Sequence, residues 1–114
     1  MRMPLVLVAA LGLLTVATAC GPTCQATCDR LYTESECGIQ RAGRTVDELI
    51  GYCMGECEAA LNEPGELGDY DPYERSGSGV SVTLGNEKQA AVWMECVAAQ
   101  DCSRLEDGYC APIW

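Results

Sequence analysis

The sequence has 114 residues, nine cysteines, no histidine and a formal net charge of −10 at pH 7. So acidic a chain lacks the basic surface that nucleic-acid binding requires, and anionic lipid does not attract it electrostatically. Histidine, the commonest general acid–base, is absent and no nucleophile or phosphate-binding motif occurs, so we predict a protein that is not an enzyme and has no cofactor.

Residues 1–19 have the pattern of a secretory signal peptide. Arg2 supplies a short basic region, an apolar stretch runs from Leu5 to Leu14, and residues 17–19 (ATA) match an A-x-A cleavage site. The apolar stretch is shorter than the ~20 residues of a membrane-spanning helix. We therefore expect export, which rests on the charge and length of this segment.

Cys20 is a candidate for lipid attachment. Residues 16–20 (VATAC) resemble a bacterial lipobox, in which the thiol takes a diacylglycerol, although Ala17 stands where the lipobox favours leucine. Without Cys20, eight cysteines remain, an even number that can pair completely in an oxidising compartment. We expect Cys20 to anchor the protein to the bacterial outer membrane or cell envelope, with residues 20–23 as lipidated cysteine and tether. A soluble secreted protein is the alternative.

The first two predicted helices begin at recognisable N-terminal signals. Helix one follows Pro22, which suits a first turn, and repeats apolar residues at helical spacing. Helix two starts with a capping box, Thr45 to Glu48, and ends at Pro64. The segment between them, residues 33–43, is a polar connection.

The C-terminal half is predicted to contain a long loop and a third helix. Residues 63–85 are rich in Gly, Pro and acidic residues, and the alternating pattern at 80–84 is expected to be extended coil. Helix three begins at Asn86, with Gln89 as its capping-box partner, and a short turn follows Asp101. The expected fold is a mainly α, small disulfide-rich domain at residues 24–114, with an antiparallel helical hairpin plus a third helix.

Two C-x₃-C pairs determine the expected disulfides. Each pair puts two thiols on one helix face, one turn apart. Antiparallel helices favour Cys24–Cys57 with Cys28–Cys53, whereas parallel helices would give Cys24–Cys53 with Cys28–Cys57. The other four cysteines allow three pairings, and we expect at least one bridge to tie helix three to the hairpin through Cys37. These four are Cys37, Cys96, Cys102 and Cys110.

The acidic loop suggests two further candidates. Asp69, Asp71 and Glu74 supply the oxygen ligands that calcium prefers, although no EF-hand pattern is present. Zinc is disfavoured by the C-x₃-C spacing and the lack of histidine.

Tyr70 and Tyr73 are the candidate contact residues for a protein partner of unknown identity, because tyrosine combines an apolar ring with a polar tip.

The twin C-x₃-C pattern is similar to that of disulfide-linked helical hairpins such as the small mitochondrial intermembrane-space chaperones, and this implies hairpin geometry alone. The lipobox-like start and the ending Cys102-x₇-Cys110, with Gly108 before the last cysteine, resemble the short cysteine-rich predicted lipoproteins of myxobacteria. That resemblance implies a lipid-anchored location and a small cysteine-rich architecture, and no activity. Our hypothesis is a membrane-anchored, non-enzymatic binding or structural module, the alternatives being a secreted inhibitor-like or toxin-like protein and a calcium-binding envelope protein.

Overall fold

A computed structural model describes residues 21–74 and 82–114. The predicted signal peptide, Cys20 and residues 75–81 of the predicted loop lie outside the described residues. The described chain forms four helices and contains no strand, which confirms the mainly α prediction. The helices are α1 (Cys24–Tyr32), α2 (Val46–Leu61), α3 (Glu87–Ala99) and α4 (Cys102–Glu106).

Each helix begins at a side chain that accepts a hydrogen bond from a free backbone N–H of the first turn. The four N-cap residues are Thr23, Thr45, Asn86 and Asp101. The two predicted capping boxes differ from the expected pattern in their return bonds. Glu48 accepts from the Thr45 hydroxyl, and Gln89 accepts from the backbone N–H of Gly85. Glu48 and Gln89 therefore still make a hydrogen bond at the start of their helix, but not to the backbone N–H of the N-cap residue, which a capping box would use.

α1 and α2 are antiparallel and cross-linked twice. The bridges join Cys24 to Cys57 and Cys28 to Cys53, with Cα–Cα distances of 5.8 and 5.9 Å. These are the pairs that antiparallel helices favour, because the first cysteine of one helix faces the second of the other. We call the two bridges the disulfide ladder.

α3 packs against the hairpin with its direction parallel to α1. At one end, the Arg30 guanidinium donates to the carbonyls of Val97 (2.9 Å) and Gln100 (2.6 Å), which lie at the C-terminal end of α3. At the other end, the Glu87 N–H donates to the carbonyl of Glu63, just after α2. Arg30 thus satisfies carbonyls that the helix end leaves unpaired.

The core lies between the three long helices and is closed by the C-terminal tail. Its largest fully buried side chains are Trp93, Tyr32, Leu31, Ile39 and Leu49. The ladder sulfurs are buried in the same cluster. In a chain this short a hydrophobic core is marginal by itself, so cross-links and core act together.

The remaining two disulfides fasten the C-terminal segments. Cys96 of α3 pairs with Cys110, which holds the tail against α3. Cys37 pairs with Cys102, the first residue of α4. The expectation that Cys37 would tie helix three was therefore wrong in detail: the bridge connects the α1–α2 connection to α4. Cys96 is instead occupied by the local bridge, 14 residues along the chain.

The two rungs of the disulfide ladder should act non-additively. Replacing both cysteines of one rung by alanine should lower the free energy of unfolding by about 2.5 kcal/mol, because the other rung still closes the α1–α2 loop. Replacing all four should cost about 6 kcal/mol, roughly 1 kcal/mol more than the sum. Urea unfolding of the three variants measures this. Simple additivity would contradict the shared-loop explanation.

Gly65 should be intolerant of alanine although its backbone is unremarkable. An added Cβ would lie 2.7–2.9 Å from the Asn86 side chain, which caps α3 and also donates to the Glu66 carbonyl. We expect Gly65→Ala to lower the free energy of unfolding by about 1–3 kcal/mol. Gly55→Ala is the matched control: it lies on the exposed face of α2 with nothing near its Cβ. It should raise stability by about 0.5–1 kcal/mol. Equal effects of both changes in urea unfolding would refute the clash.

Candidate functional site

The C-terminal tail is held in place by three buried or half-buried side chains. The Tyr32 hydroxyl donates to the Trp114 carbonyl (2.8 Å) and accepts from its N–H (2.9 Å). The Trp93 indole N–H donates to the Pro112 carbonyl (3.0 Å). The Tyr70 hydroxyl donates to the Ala111 carbonyl (2.6 Å). The backbone of the tail is thereby fixed, and with it the direction of the Trp114 ring.

Trp114 connects the core to the surface through two edge-on ring contacts. Its ring centroid lies 5.6 Å from that of Trp93, which is fully buried, with an interplanar angle of 66°. On its other side it lies 5.7 Å from Tyr52 of α2, at 78°. Tyr52 is 47% exposed, which is high for so large an apolar ring. Edge-to-face geometry of this kind is favourable and orients each ring.

Two arginines stand beside this aromatic pair. The Arg44 guanidinium carbon lies 5.7 Å from the Tyr52 ring centroid, within cation–π range. Arg41 completes a cleft of about 270 Å³. Its lining residues are Arg41, Arg44, Leu49, Tyr52 and Trp114, and we call it the Arg–Trp cleft. Within the described ranges, neither guanidinium forms an ion pair with a carboxylate.

The cleft can therefore supply two positive charges, two partly exposed aromatic rings and an apolar floor. Arg41 donates to the carbonyl of Gln40, which leaves most of its N–H groups available. Arginine presents a planar fork of donors that matches a carboxylate or phosphate. The residues of the cleft could thus accommodate an anionic group that has an apolar neighbour.

The two tyrosines predicted as contact residues differ in exposure. Tyr73 is exposed, at 58%. Tyr70 is not: it packs against the core, and its hydroxyl is used in the bond to the Ala111 carbonyl. Tyr70 is partly buried because the tail returns to this loop, where the Ala111 N–H also donates to the Pro72 carbonyl. Tyr70 is a structural residue.

The three calcium candidates line an open concavity. Asp69, Asp71 and Glu74 lie along a depression of about 400 Å³ that Gln89 also lines. The Asp71 carboxylate accepts from the backbone N–H of Tyr73, as in a local turn. Among residues 21–74 and 82–114, no three acidic or cysteine side chains are placed to hold a metal ion.

Sequence reasoning missed the Arg–Trp cleft. One signal was present: Arg41 and Arg44 are the most closely spaced basic residues in a sequence with 17 acidic ones. The contribution of Trp114 was not accessible, because it depends on the hydrogen bonds that Tyr32 makes across 82 positions of the chain. Helical spacing places Tyr32 on the same face as Cys24 and Cys28, but it cannot show what the Tyr32 hydroxyl binds.

Comparison of the chain with protein-family models, with curated proteins and with solved structures gave no match. Across the described ranges, none of the helices combines the length and apolar character needed to cross a membrane. Four disulfides indicate an oxidising compartment outside the cytoplasm.

The tail should loosen at alkaline pH. Burial of the Tyr32 phenol raises its pKa to about 12, although the Trp114 N–H and the Arg41 charge act in the opposite direction. In the unfolded chain the pKa is about 10. The stabilisation is therefore complete below pH 10 and is lost as the pH rises from about 10 to about 12, at up to about 1.4 kcal/mol per pH unit.

Urea unfolding between pH 8 and 11.5 measures this slope. Tyr32→Phe should reduce the slope without abolishing it, because burial also raises the pKa of the Tyr70 phenol, which holds the same tail. Tyr73→Phe is the control, since its exposed ring makes no buried hydroxyl contact, and it should keep the full slope. An unchanged slope in Tyr32→Phe would assign the alkaline effect to another group.

Proposed function

We propose that the protein is exported, acylated at Cys20 and held at the cell-envelope membrane, where it acts as a non-enzymatic binding module through the Arg–Trp cleft. The cleft itself carries this proposal. It gathers two arginines, neither in an ion pair with a carboxylate among the described residues, and two partly exposed aromatic rings around a small concavity, in a protein whose charge is otherwise strongly acidic.

The proposed location at the membrane is supported by the disulfides and by the position at which α1 begins. All eight cysteines from Cys24 onward are paired, so the ninth, Cys20, has no partner among them. Thr23 already belongs to the N-cap of α1. Gly21 and Pro22 are then the residues between the proposed acylated cysteine and the fold, a span of about 10 Å when fully extended. The domain would sit close to the membrane surface.

The position of the cleft supports a role in binding away from that surface. The chain enters the fold at the Cys24 end of α1, which the ladder places beside Cys57 of α2. The cleft lies at the opposite end of the hairpin, beside the start of α2. Leu49 precedes Cys57 by eight residues, or about 12 Å along the helix axis. An anchor at Cys20 would therefore present the cleft to the space beyond the membrane.

The side chains of the cleft favour binding over catalysis. Arginine, tyrosine, tryptophan and leucine supply charge and surface, but at neutral pH none of them is a ready general base or nucleophile. The cleft is also open and small, with little room to exclude water from a reaction. A binding or structural role is the simpler use of such a surface.

Acylation is tested by intact-mass analysis of the native protein before and after thiol labelling. We expect a mass increase from acyl chains, four disulfides and no free thiol. Cys20→Ala should remove the acyl mass and release the protein from the membrane fraction. Ala17→Leu is the matched change in the same segment: it improves the lipobox and should retain acylation. Unmodified Cys20 in protein recovered from the medium would support the secreted alternative and contradict lipid anchoring.

A further inference from the structure

We infer that the Arg–Trp cleft binds a peptide segment of a partner protein in which a carboxylate side chain stands next to an apolar one. This inference rests on the proposed binding role and specifies the chemistry of the ligand. Three properties of the cleft carry it: the types of residue it contains, its charge relative to the rest of the chain, and its size.

The residue types are those that dominate protein–protein contacts. Tryptophan, tyrosine and arginine are the residues whose truncation most often costs binding energy at interfaces. Here all three types surround one cleft, and Tyr52 and Trp114 are held edge to face so that little side-chain freedom is lost on binding. The apolar floor at Leu49 then selects an apolar neighbour for the bound anion.

The charge of the cleft selects a carboxylate. Arg41 and Arg44 both line the cleft without a described carboxylate partner, whereas Arg30 donates to a carbonyl of α3 and forms an ion pair with Glu36. At contact, each guanidinium attracts a carboxylate through charge-assisted hydrogen bonds, which are about twice as strong as neutral ones. The net negative charge of the chain opposes an acidic ligand, but salt screens charges beyond about 8 Å. Local attraction therefore wins for a ligand with one carboxylate, and a strongly acidic ligand is disfavoured.

The size of the cleft selects a short stretch of chain. At about 270 Å³ it is smaller than the ~300–1,000 Å³ typical of sites for drug-sized ligands. It can take one or two side chains and remain open along its length. This fits two adjacent residues of an extended peptide.

The end of the molecule on which the cleft lies disfavours lipid as its ligand. A phosphate headgroup of the anchoring bilayer would meet the Cys24 end of the hairpin, where Glu63 and Glu87 lie together. To reach Arg44, the domain would have to turn over on a tether of about 10 Å. A peptide from another envelope protein reaches the cleft without such a rearrangement.

The experiment uses the full-length exported protein, isotope-labelled, with its disulfides intact. The probe is acetyl-Gly-Glu-Leu-Gly-amide, and its matched comparisons carry Gln or Lys in place of Glu. Titration followed by proton–nitrogen correlation spectra should shift the Trp114 indole and the Tyr52 and Leu49 amides at low millimolar peptide. We expect the Glu peptide to bind about tenfold more tightly than the Gln peptide, and the Lys peptide to bind least.

Three charge-neutralising variants separate the cleft from general electrostatics. Arg41→Gln and Arg44→Gln should each weaken binding of the Glu peptide about fivefold to tenfold and leave the Gln peptide unchanged. Lys88→Gln is the matched control, because it removes the same charge at the N-terminal end of α3 and should have no effect. Unfolding midpoints of all three should stay near that of the parent protein, since none of these side chains is buried.

Several outcomes would overturn the inference. Equal affinity for the Glu and Gln peptides, or equal loss in Lys88→Gln, would show that the cleft does not read a carboxylate. Tighter binding of inorganic phosphate than of the Glu peptide would assign the cleft to phosphate. Self-association that Arg44→Gln abolishes, seen by analytical ultracentrifugation without peptide, would assign it to a second copy of the chain. Acylation of Cys20 is measured separately, so failure here leaves the proposed anchoring intact.

Discussion

Two disulfides one helical turn apart fix α1 and α2 in a single antiparallel register, and the remaining structure is built on that register. α1 has nine residues, too few for a stable helix in isolation. The ladder supplies what helix propensity cannot, because it joins α1 to the 16-residue α2 at two successive turns. A helix fixed at two points can neither slide nor rotate. Its inward face, with Leu31 and Tyr32, is then committed to the core.

Because the ladder fixes α1, it also fixes Tyr32, and through Tyr32 the position of the C-terminal tail at the surface. Its hydroxyl donates to and accepts from the backbone of Trp114, so the tail is aligned by a residue of the hairpin. Cys96–Cys110 holds the tail from the other side. Cys110 itself has a positive φ of 60°, a conformation that costs a residue with a side chain about 1 kcal/mol or more. The bridge and the packing of the tail together offset that cost.

Local patterns in the sequence were sufficient for the helices, because caps and periodicity act over a few residues. Thr45 and Asn86 mark two helix starts by side-chain chemistry alone, and twin C-x₃-C spacing implies the ladder once the helices are antiparallel. The partner of Cys37 was not predictable, since it depends on where α4 lies after α3 ends. The cleft was missed for the same reason: Arg44 and Trp114 are 70 positions apart, and only tail docking brings them to one site.

The proposed anchor requires one end of the domain to lie at the membrane, whereas the proposed binding role requires the cleft to stay accessible. This fold can satisfy both requirements, because they concern opposite ends of the hairpin. If Cys20 is acylated as proposed, a short tether would bring the Cys24 end of the hairpin to the lipid surface, where Glu63 and Glu87 would be repelled by anionic headgroups within about one Debye length. In a chain with a net charge of −10, such repulsion would favour an orientation that keeps contact with the bilayer small. Such an orientation would hold the two arginines of the cleft at the far end of the hairpin. In the proposed arrangement, the lipid would set the position of the domain, and the short tether would leave the cleft on the side facing away from the membrane.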